Sequence, residues 1–154
     1  MPSRILIRSH ILKTGKNLNK TLMRQFTVNT SSRTELIDIT ARITAIVKED
    51  NMKSGLCHVF VPHTTAAVTI NENADPDVPA DILTSIAGLV PRNGRYRHGE
   101  GNSDAHVKAS LFGSSETIIV EEERLVLGVW QSVFFCEFDG PRTRKVLVKL
   151  VPAA

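Results

Sequence analysis

Hydrophobic and polar residues follow two periods along the chain, and these separate its predicted strands from its predicted helices. Alternation with a period of two, together with short apolar runs bounded by turn residues, is typical of β-strands. Apolar residues at three- and four-residue steps are typical of amphipathic helices. The seven predicted strands are residues 25–29, 56–61, 66–70, 105–111, 116–120, 124–138 and 145–151.

Two stretches carry the helical period. The first begins at Ser32-x-x-Glu35, a capping box in which the serine oxygen and the glutamate carboxylate satisfy free N–H groups, and it ends near Asp50. The second opens at Pro76 or Pro79, because proline suits the first turn of a helix. Short connections between strands favour antiparallel pairing. The pattern therefore predicts an α+β fold of mostly antiparallel sheets with two helices.

The composition agrees with one globular domain. The chain has 154 residues, 42% of them hydrophobic, which is enough to bury a core. No window approaches the roughly 20 apolar residues of a membrane span, so we expect no membrane partner. Cys57 and Cys136 lie in apolar runs and are interpreted as small core residues. This cysteine usage predicts a reducing, cytoplasmic location.

Charge is divided unevenly along the chain. Residues 1–24 contain six of the Lys and Arg residues and no acid, so the net charge of +3 becomes −3 for the remainder. We therefore predict a basic N-terminal extension at residues 1–24 and a single domain at residues 25–154, without general affinity for nucleic acid. Three interpretations of residues 1–22 stay open: a transit-type segment, a short strand at residues 4–13, or a leader ahead of a start at Met23.

Residues 59–75 combine strand-like runs with polar groups and form the first candidate site. Pro62 interrupts the first run, because proline has no N–H to donate to a sheet. Six polar side chains follow this break or the end of the second run: His63, Thr64, Thr65, Asn71, Glu72 and Asp75. Strand ends hold such groups on a rigid frame, which suits binding or catalysis. A polar loop between two strands is the simpler alternative.

Three histidines lie in polar surroundings without periodicity, namely His63, His98 and His106. Three imidazoles with an open fourth position suit a catalytic zinc ion, with a carboxylate as orienting group or fourth ligand. If residues 102–111 are extended, the period of two places Asn102, Asp104 and His106 on one face. Ordinary hydrogen bonding, or phosphate binding by protonated rings, is the alternative.

Acidic and basic groups also gather near the end of the predicted strand 124–138. The period of two places Gln131, Glu137 and Asp139 on one face, and the core side chains on the other: Trp130, Phe134, Cys136 and Phe138. Arg142 and Arg144 follow in the same turn, so ion pairing is one interpretation. A clamp by Arg142 on an anionic substrate is the other, because a guanidinium fork matches phosphate.

Four sequence blocks, taken in order, resemble one known family. They are HTTAAVTINENADPDV at residues 63–78, the His, Asn, Asp and His pattern at residues 98–110, the LGxWQ block at residues 127–131 and EFDGPR at residues 137–142. From about residue 25 to residue 151 the chain resembles the YjbQ-like family, also called the secondary thiamine-phosphate synthase family. Residues 1–22 have no counterpart in this resemblance, and residues 121–123 are acidic where a glycine-containing turn is expected.

The resemblance implies an α+β fold whose sheets surround a threefold axis, and hence a homotrimer. It also implies a metal site that uses the histidines of these blocks. The implied activity is a weak thiamine-phosphate synthase, which joins a pyrimidine methyl diphosphate to a thiazole phosphate and releases pyrophosphate.

Two functions of different class are therefore expected. The first is an enzyme acting on a phosphorylated small molecule with a divalent metal, zinc or magnesium. Its metal or phosphate ligands are His63, His98 and His106, its acid, base or metal-orienting groups are Glu72, Asp75 and Asp104, and its substrate contacts are Thr64, Thr65, Asn71, Asn102 and Arg142. The second is a non-enzymatic homotrimer that binds a metal or a phosphorylated ligand.

Overall fold

The structure of the protein, a computed structural model, describes residues 22–153. The predictions for the first 21 residues lie outside this range. Within it there are eight strands and three helices. In chain order they are β1 (Leu22–Asn29), β2 (Glu35–Asp38), α1 (Thr40–Glu49), β3 (Ser54–Phe60), β4 (Ala66–Glu72), α2 (Asp77–Leu89), α3 (Ser103–Phe112), β5 (Ser115–Glu121), β6 (Arg124–Leu125), β7 (Gln131–Glu137) and β8 (Thr143–Pro152). Residues 22–24 of the predicted extension therefore belong to the first strand.

The strands form two antiparallel sheets. The larger sheet has five strands in the order β1-β8-β3-β5-β6, and the smaller has three in the order β2-β7-β4. Every neighbouring pair is antiparallel. The predicted α+β class with antiparallel sheets is confirmed, with three helices instead of two.

The small sheet is covered on both faces. One face packs with α1 and the inner face of the large sheet in the main core, which contains Ile43, Val59, Val68, Val133, Phe135 and Val148. The other face packs under α3 in a second core, which contains Ala67, Ala105, Ala109, Phe134, Cys136 and Phe138. Successive side chains of a strand point to opposite faces, so β7 contributes to both cores. Cys57 and Cys136 are buried, as expected.

The predicted strand at residues 105–111 is wrong, because Ser103–Phe112 is helix α3. The alternation of Ala105, Val107, Ala109 and Leu111 resembles a strand, but alanine and lysine favour a helix. The helix buries Asp104, Ala105, Lys108 and Ala109, which recur at one- and four-residue steps. It leaves Val107 and Leu111 exposed. Asn102, Asp104 and His106 consequently do not share a face.

The segment before β7 also differs from expectation. The predicted strand 124–138 is two strands, and residues 126–130 form a turn closed by the Gln131 N–H bond to the Gly128 carbonyl (2.9 Å). Trp130, predicted in the core, is 65% exposed because it lies in this turn. Glu137 and Asp139 are buried, since both faces of the small sheet are covered.

Two sequence signals, a capping box and a hairpin turn, predict local structures that differ from those observed. Glu35 does accept a hydrogen bond from the Ser32 N–H (3.2 Å), as a capping box requires, but the chain continues into β2 and the helix begins at Thr40. The Asp139-Gly140-Pro141 turn leads from β7 to β8, which belong to different sheets, so no hairpin forms. Gly140 is required in this turn, because an added Cβ would collide with the Ser32 carbonyl oxygen.

No helix within residues 22–153 has both the length and the apolar character needed to cross a membrane.

Candidate functional site

The loop at residues 61–65 carries the first group of candidate side chains. Strand β3 ends at Phe60, immediately before the segment that contains Pro62. The Val61 N–H then donates to the Ser114 carbonyl (2.8 Å), which ties the loop to the residues that follow α3. The Gly113 carbonyl accepts the Val68 N–H (3.1 Å), which ties the same segment to β4. These bonds bring the end of α3 against the loop.

A cleft of about 510 Å³ lies between this loop and α3. Its lining residues are His63, Thr64, Ala66, His106, Ala109, Ser110, Gly113 and Ser114. The lining combines ring and hydroxyl groups with small residues, and it includes no carboxylate. A volume of this size is within the usual range for clefts that hold small molecules.

His63 uses one ring nitrogen to hold the loop in place. The Lys145 N–H donates to His63 Nε2 (2.8 Å), so this nitrogen is an acceptor. Burial, and next the positive charge of Arg144, lower the pKa of His63 below its ordinary value. The ring is therefore neutral at pH 7, and its proton is on Nδ1. His63, which lines the cleft, therefore carries an N–H donor and no free lone pair.

His98 contacts His106, which is one of the residues lining the cleft. Their rings meet edge to face with centroids 5.5 Å apart. His98 belongs to the loop between α2 and α3, and its Nε2 is 3.5 Å from Glu100 Oε2. Thus His106 lines the cleft with His63, and His98 is a neighbour of His106.

Thr65 points away from the cleft. Its side chain is buried, and its Oγ1 accepts a hydrogen bond from Arg144 Nη2 (2.8 Å). Arg144 also binds Glu137 through two bonds, Nε to Oε2 (2.8 Å) and Nη2 to Oε1 (2.6 Å). Glu137 further accepts the Thr30 hydroxyl (3.0 Å) and the N–H groups of Phe138 and Asp139 (3.0 and 2.9 Å). Glu137 and Arg144 bind each other at the centre of this network, and we call them the Glu137–Arg144 pair.

The environment of Glu137 keeps it ionised. Burial acts to raise the pKa of its carboxyl, but the hydrogen bond and charge of Arg144 and the Asp139 N–H outweigh burial, so the pKa is lowered. Because Glu137 ends β7 and Arg144 lies in β8, the pair joins the small sheet to the large one. The pair has a structural role, and it contacts the cleft loop through the bond from Arg144 to Thr65.

A second ionic group surrounds the start of α3. Arg33 bridges Asp104 (3.0 Å) and Asp139 (3.1 Å), and Lys108 donates to the other oxygen of Asp104 (2.8 Å). Arg142 donates to the Asp139 carboxylate (2.8 Å), and so does the Asn102 side chain (3.0 Å). Burial alone would raise the pKa of Asp104 and Asp139, but these partners lower both.

Three of the candidate residues thus have protein partners rather than a place in the cleft lining. Asp104 is engaged by Arg33 and Lys108, Asn102 by Asp139, and Arg142 by Asp139. Arg142 forms an ion pair with Asp139, which agrees with the simpler of its two interpretations.

Asn71, Glu72 and Asp75 lie at the other end of β4. Glu72 is six residue steps along extended chain from Ala66 in the cleft, which is roughly 20 Å at about 3.3 Å per residue. Asn71 Oδ1 accepts the Glu72 N–H (2.8 Å), and Asp75 Oδ1 accepts the Asp77 N–H (2.9 Å) at the start of α2. A single chain does not bring these three side chains to His63 and His106.

Sequence reasoning missed Arg33 and Lys108 among the partners that hold the site together, and it named Arg144 only as one of two arginines that could pair with the acids at the end of the strand. A signal for Arg144 was present, since it continues the inward parity of Val146, Val148 and Leu150 along β8. An arginine at a core-facing position needs a buried acid, and Glu137 is the acid at the end of the neighbouring apolar strand. Lys108 was hidden by the assignment of α3 as a strand.

The predicted metal ligands do not form a metal site in one chain. Among residues 22–153 no three His, Cys, Asp or Glu side chains are close enough together to share an ion. The acceptor nitrogen of His63 is also occupied by the Lys145 N–H. As they are placed in one chain, these side chains do not fit a zinc or magnesium ion, and the divalent metal stays a prediction from the sequence.

The fold and the site define an α+β protein with two antiparallel sheets and a small cleft lined by hydrogen-bond donors. The family model described as UPF0047 protein YjbQ-like matches residues 24–153, and the chain belongs to this family.

Relatives and solved structures agree with this assignment. The chain is 48% identical over 130 residues to a UPF0047 protein of Methanocaldococcus jannaschii, covering 84% of this chain and 94% of the relative. It is similar to a crystal structure of a YjbQ/UPF0047 protein of Clostridium acetobutylicum, with 52% identity, a TM-score of 0.81 and coverage of 82% and 98% of the two chains. A protein of Sulfolobus solfataricus has 34% identity and a TM-score of 0.84, with coverage of 88% and 99%.

These comparisons correct the expected activity. The relatives are described only as members of the uncharacterised family UPF0047, and the Sulfolobus protein is described as having unknown function. None of these descriptions contains a thiamine-phosphate synthase or another transferase. The expectation of that activity is wrong.

Replacing Glu137 by Gln tests the Glu137–Arg144 pair. The change keeps the shape of the side chain but leaves the Arg144 guanidinium buried without a counter-charge, which costs about 3–5 kcal/mol. We expect the free energy of unfolding, measured by urea denaturation, to fall by this amount. Glu121→Gln, on an exposed strand position, is the matched control and changes stability by less than about 0.5 kcal/mol. Equal stability of the two variants would contradict the assigned role.

The pH dependence of stability tests the same pair independently. The pKa of Glu137 is lower in the folded protein than in the unfolded chain, so its stabilisation is fully present above about pH 4.5, the ordinary glutamate value, and is lost as the pH falls through the folded pKa. The stability difference between the wild type and Glu137→Gln should therefore shrink as the pH falls below about 4.5. Denaturation curves between pH 7 and pH 3 measure it, and a constant difference would be inconsistent with an ionised Glu137.

Proposed function

We propose that the cleft binds the phosphate group of a small phosphorylated molecule. The observation that carries this is the chemistry of the lining: the Nδ1–H of His63, the hydroxyls of Thr64 and Ser114 and the ring of His106 can all donate, and no carboxylate is among the lining residues. A phosphate has only acceptor oxygens and a negative charge, so donors without competing acids suit it. The small residues Ala66 and Ala109 leave room for the phosphate to approach.

A cation fits this lining less well than an anion. Metal ions need free lone pairs on oxygen or nitrogen, and the lone pair of His63 already accepts the Lys145 N–H. Ser110 Oγ donates to the His106 carbonyl (2.9 Å), so this hydroxyl is also engaged within the protein. The candidate acids Glu72, Asp75 and Asp104 lie outside the lining. Binding, rather than a defined chemical step, is what the geometry supports.

Titration with inorganic phosphate, pyrophosphate and phenyl phosphate tests this function. Thr64→Val and Ser114→Ala each remove one donor to a charged group, so we expect roughly tenfold or greater weakening of binding per variant. Isothermal titration calorimetry, with ³¹P NMR for weak binding, measures the dissociation constants. Thr117→Val, on the outer face of the large sheet, is the matched control and keeps wild-type affinity. Absence of wild-type binding at millimolar ligand would reject the function.

We also propose that the protein assembles as a homotrimer through the outer face of the large sheet. The support is an apolar patch across three strands, where Leu56 of β3 is opposite both Ile119 of β5 and Val151 of β8. These side chains are 45%, 57% and 42% exposed. An uncovered apolar patch on a sheet is typical of a contact surface. It agrees with the assembly implied by the family resemblance.

Placing a charge in this patch tests the assembly. Ile119→Lys puts an ammonium group in the middle of the proposed contact, and we expect the trimer to dissociate to monomers at micromolar concentration, because an unpaired charge is costly to bury. Light scattering coupled to size-exclusion chromatography measures the mass. Val107→Lys, at an exposed valine of α3, is the control and retains the trimer. A monomeric wild type, or a trimeric Ile119→Lys, would refute the proposed surface.

A further inference from the structure

We infer that Thr65 is a positioning residue, which fastens the loop of His63 and Thr64 to the Glu137–Arg144 pair and so fixes the donors of the cleft before a ligand arrives. The inference rests on the proposed phosphate function and assigns that site a residue outside its lining. Thr65 was expected to contact substrate directly, and its geometry gives it this different task.

Two adjacent threonines face opposite directions in this loop. Thr64 is exposed and lines the cleft, whereas Thr65 is 6% exposed and has its hydroxyl against Arg144 (2.8 Å). The chain bends at these two residues, just before β4 begins, and the two side chains leave the bend in different directions. Thr65 therefore cannot touch a ligand in the cleft without leaving the guanidinium.

The loop has few other attachments. Between the end of β3 and the start of β4 it is held by the Val61 N–H bond to Ser114, by His63 Nε2 on the Lys145 N–H, and by Thr65. Thr65 is bound twice, since its carbonyl accepts the Phe138 N–H (3.2 Å) and its hydroxyl accepts Arg144. His63 and Thr65 thus bind neighbouring residues of β8, Lys145 and Arg144.

The Glu137–Arg144 pair is a suitable anchor because it cannot shift easily. Five hydrogen bonds converge on the Glu137 carboxylate, two of them from Arg144, and the glutamate side chain is fully buried. A group held this way keeps one orientation, and the hydroxyl it binds is held with it. Donors that are fixed in advance bind a ligand without a further ordering cost.

The test compares Thr65→Val with Thr65→Ser. Valine keeps the shape but removes the hydroxyl, whereas serine keeps the hydroxyl. We expect Thr65→Val to weaken phosphate and pyrophosphate binding about fivefold to tenfold, and Thr65→Ser to restore most of the affinity. The loosened loop should also raise the hydrogen-exchange rate of the Lys145 amide and alter the ¹⁵N shifts of the His63 ring, which report its tautomer.

Thr40→Val is the matched control for a purely structural effect. Thr40 Oγ1 accepts the Val133 N–H at 2.8 Å, so this variant also loses one accepted hydrogen bond, but away from the loop. It should lose stability while keeping wild-type phosphate affinity and Lys145 exchange. A loss of affinity in Thr40→Val equal to that in Thr65→Val would overturn the inference.

The outcomes separate this inference from the proposed function. If the wild type binds no phosphate or pyrophosphate, the function fails, and Lys145 exchange tests the fastening of the loop by itself. If the wild type binds phosphate, and Thr65→Val keeps both the wild-type affinity and the wild-type exchange rate of the Lys145 amide, the positioning role is wrong but the phosphate-binding function is supported. Should Thr65→Val not fold, Thr65→Ala makes the same comparison without placing a methyl group against the guanidinium.

Discussion

The buried pair between Glu137 and Arg144 is the constraint on which the site depends. Removing both charges from water carries a large penalty, and the attraction between them compensates only if the remaining hydrogen bonds are also made. Here the glutamate receives five, from a side chain of the large sheet, from Thr30 and from two backbone N–H groups. The pair therefore specifies one relative arrangement of the two sheets at this end of the molecule.

The layered architecture explains why the cleft forms at this end. The small sheet is covered by the large sheet on one face and by α3 on the other, so its strand ends are the places where polar side chains reach solvent. Gly113 ends α3 and joins it to β4, and Ser114 joins the same segment to the loop at Val61. The cleft is consequently formed by α3, the start of β4 and the loop at residues 61–65, and each of these elements is fixed to the two packed sheets.

Much of the fold was predictable, because its signals are local. Alternation identified most of the strands, and Pro62 marked the end of β3 before the candidate loop. The site was less predictable, because its contacts join residues far apart in sequence: Arg144 meets Thr65, and Arg33 meets Asp104. Reading α3 as a strand placed Asp104 beside His106, whereas two residues in a helix are about 200° apart around its axis. Asn71, Glu72 and Asp75 were predicted to belong to the same site as His63 only because they are close to it in sequence.

The electrostatics of the cleft depend on how the end of α3 is satisfied. A helix C-terminus carries free carbonyls and a partial negative charge, which would repel a phosphate. In this protein the Gly113 N–H binds the Ala109 carbonyl (2.9 Å), and the Val68 N–H binds the Gly113 carbonyl (3.1 Å). These bonds satisfy the carbonyls of Ala109 and Gly113, two residues that line the cleft, while burial and then the positive charge of Arg144 lower the pKa of His63. Asp104 and Asp139 are paired to Arg33, Lys108 and Arg142, and Glu137 is paired to Arg144. Under the function that we propose, the donors of His63, Thr64 and Ser114 then set the preference of the cleft for an anion.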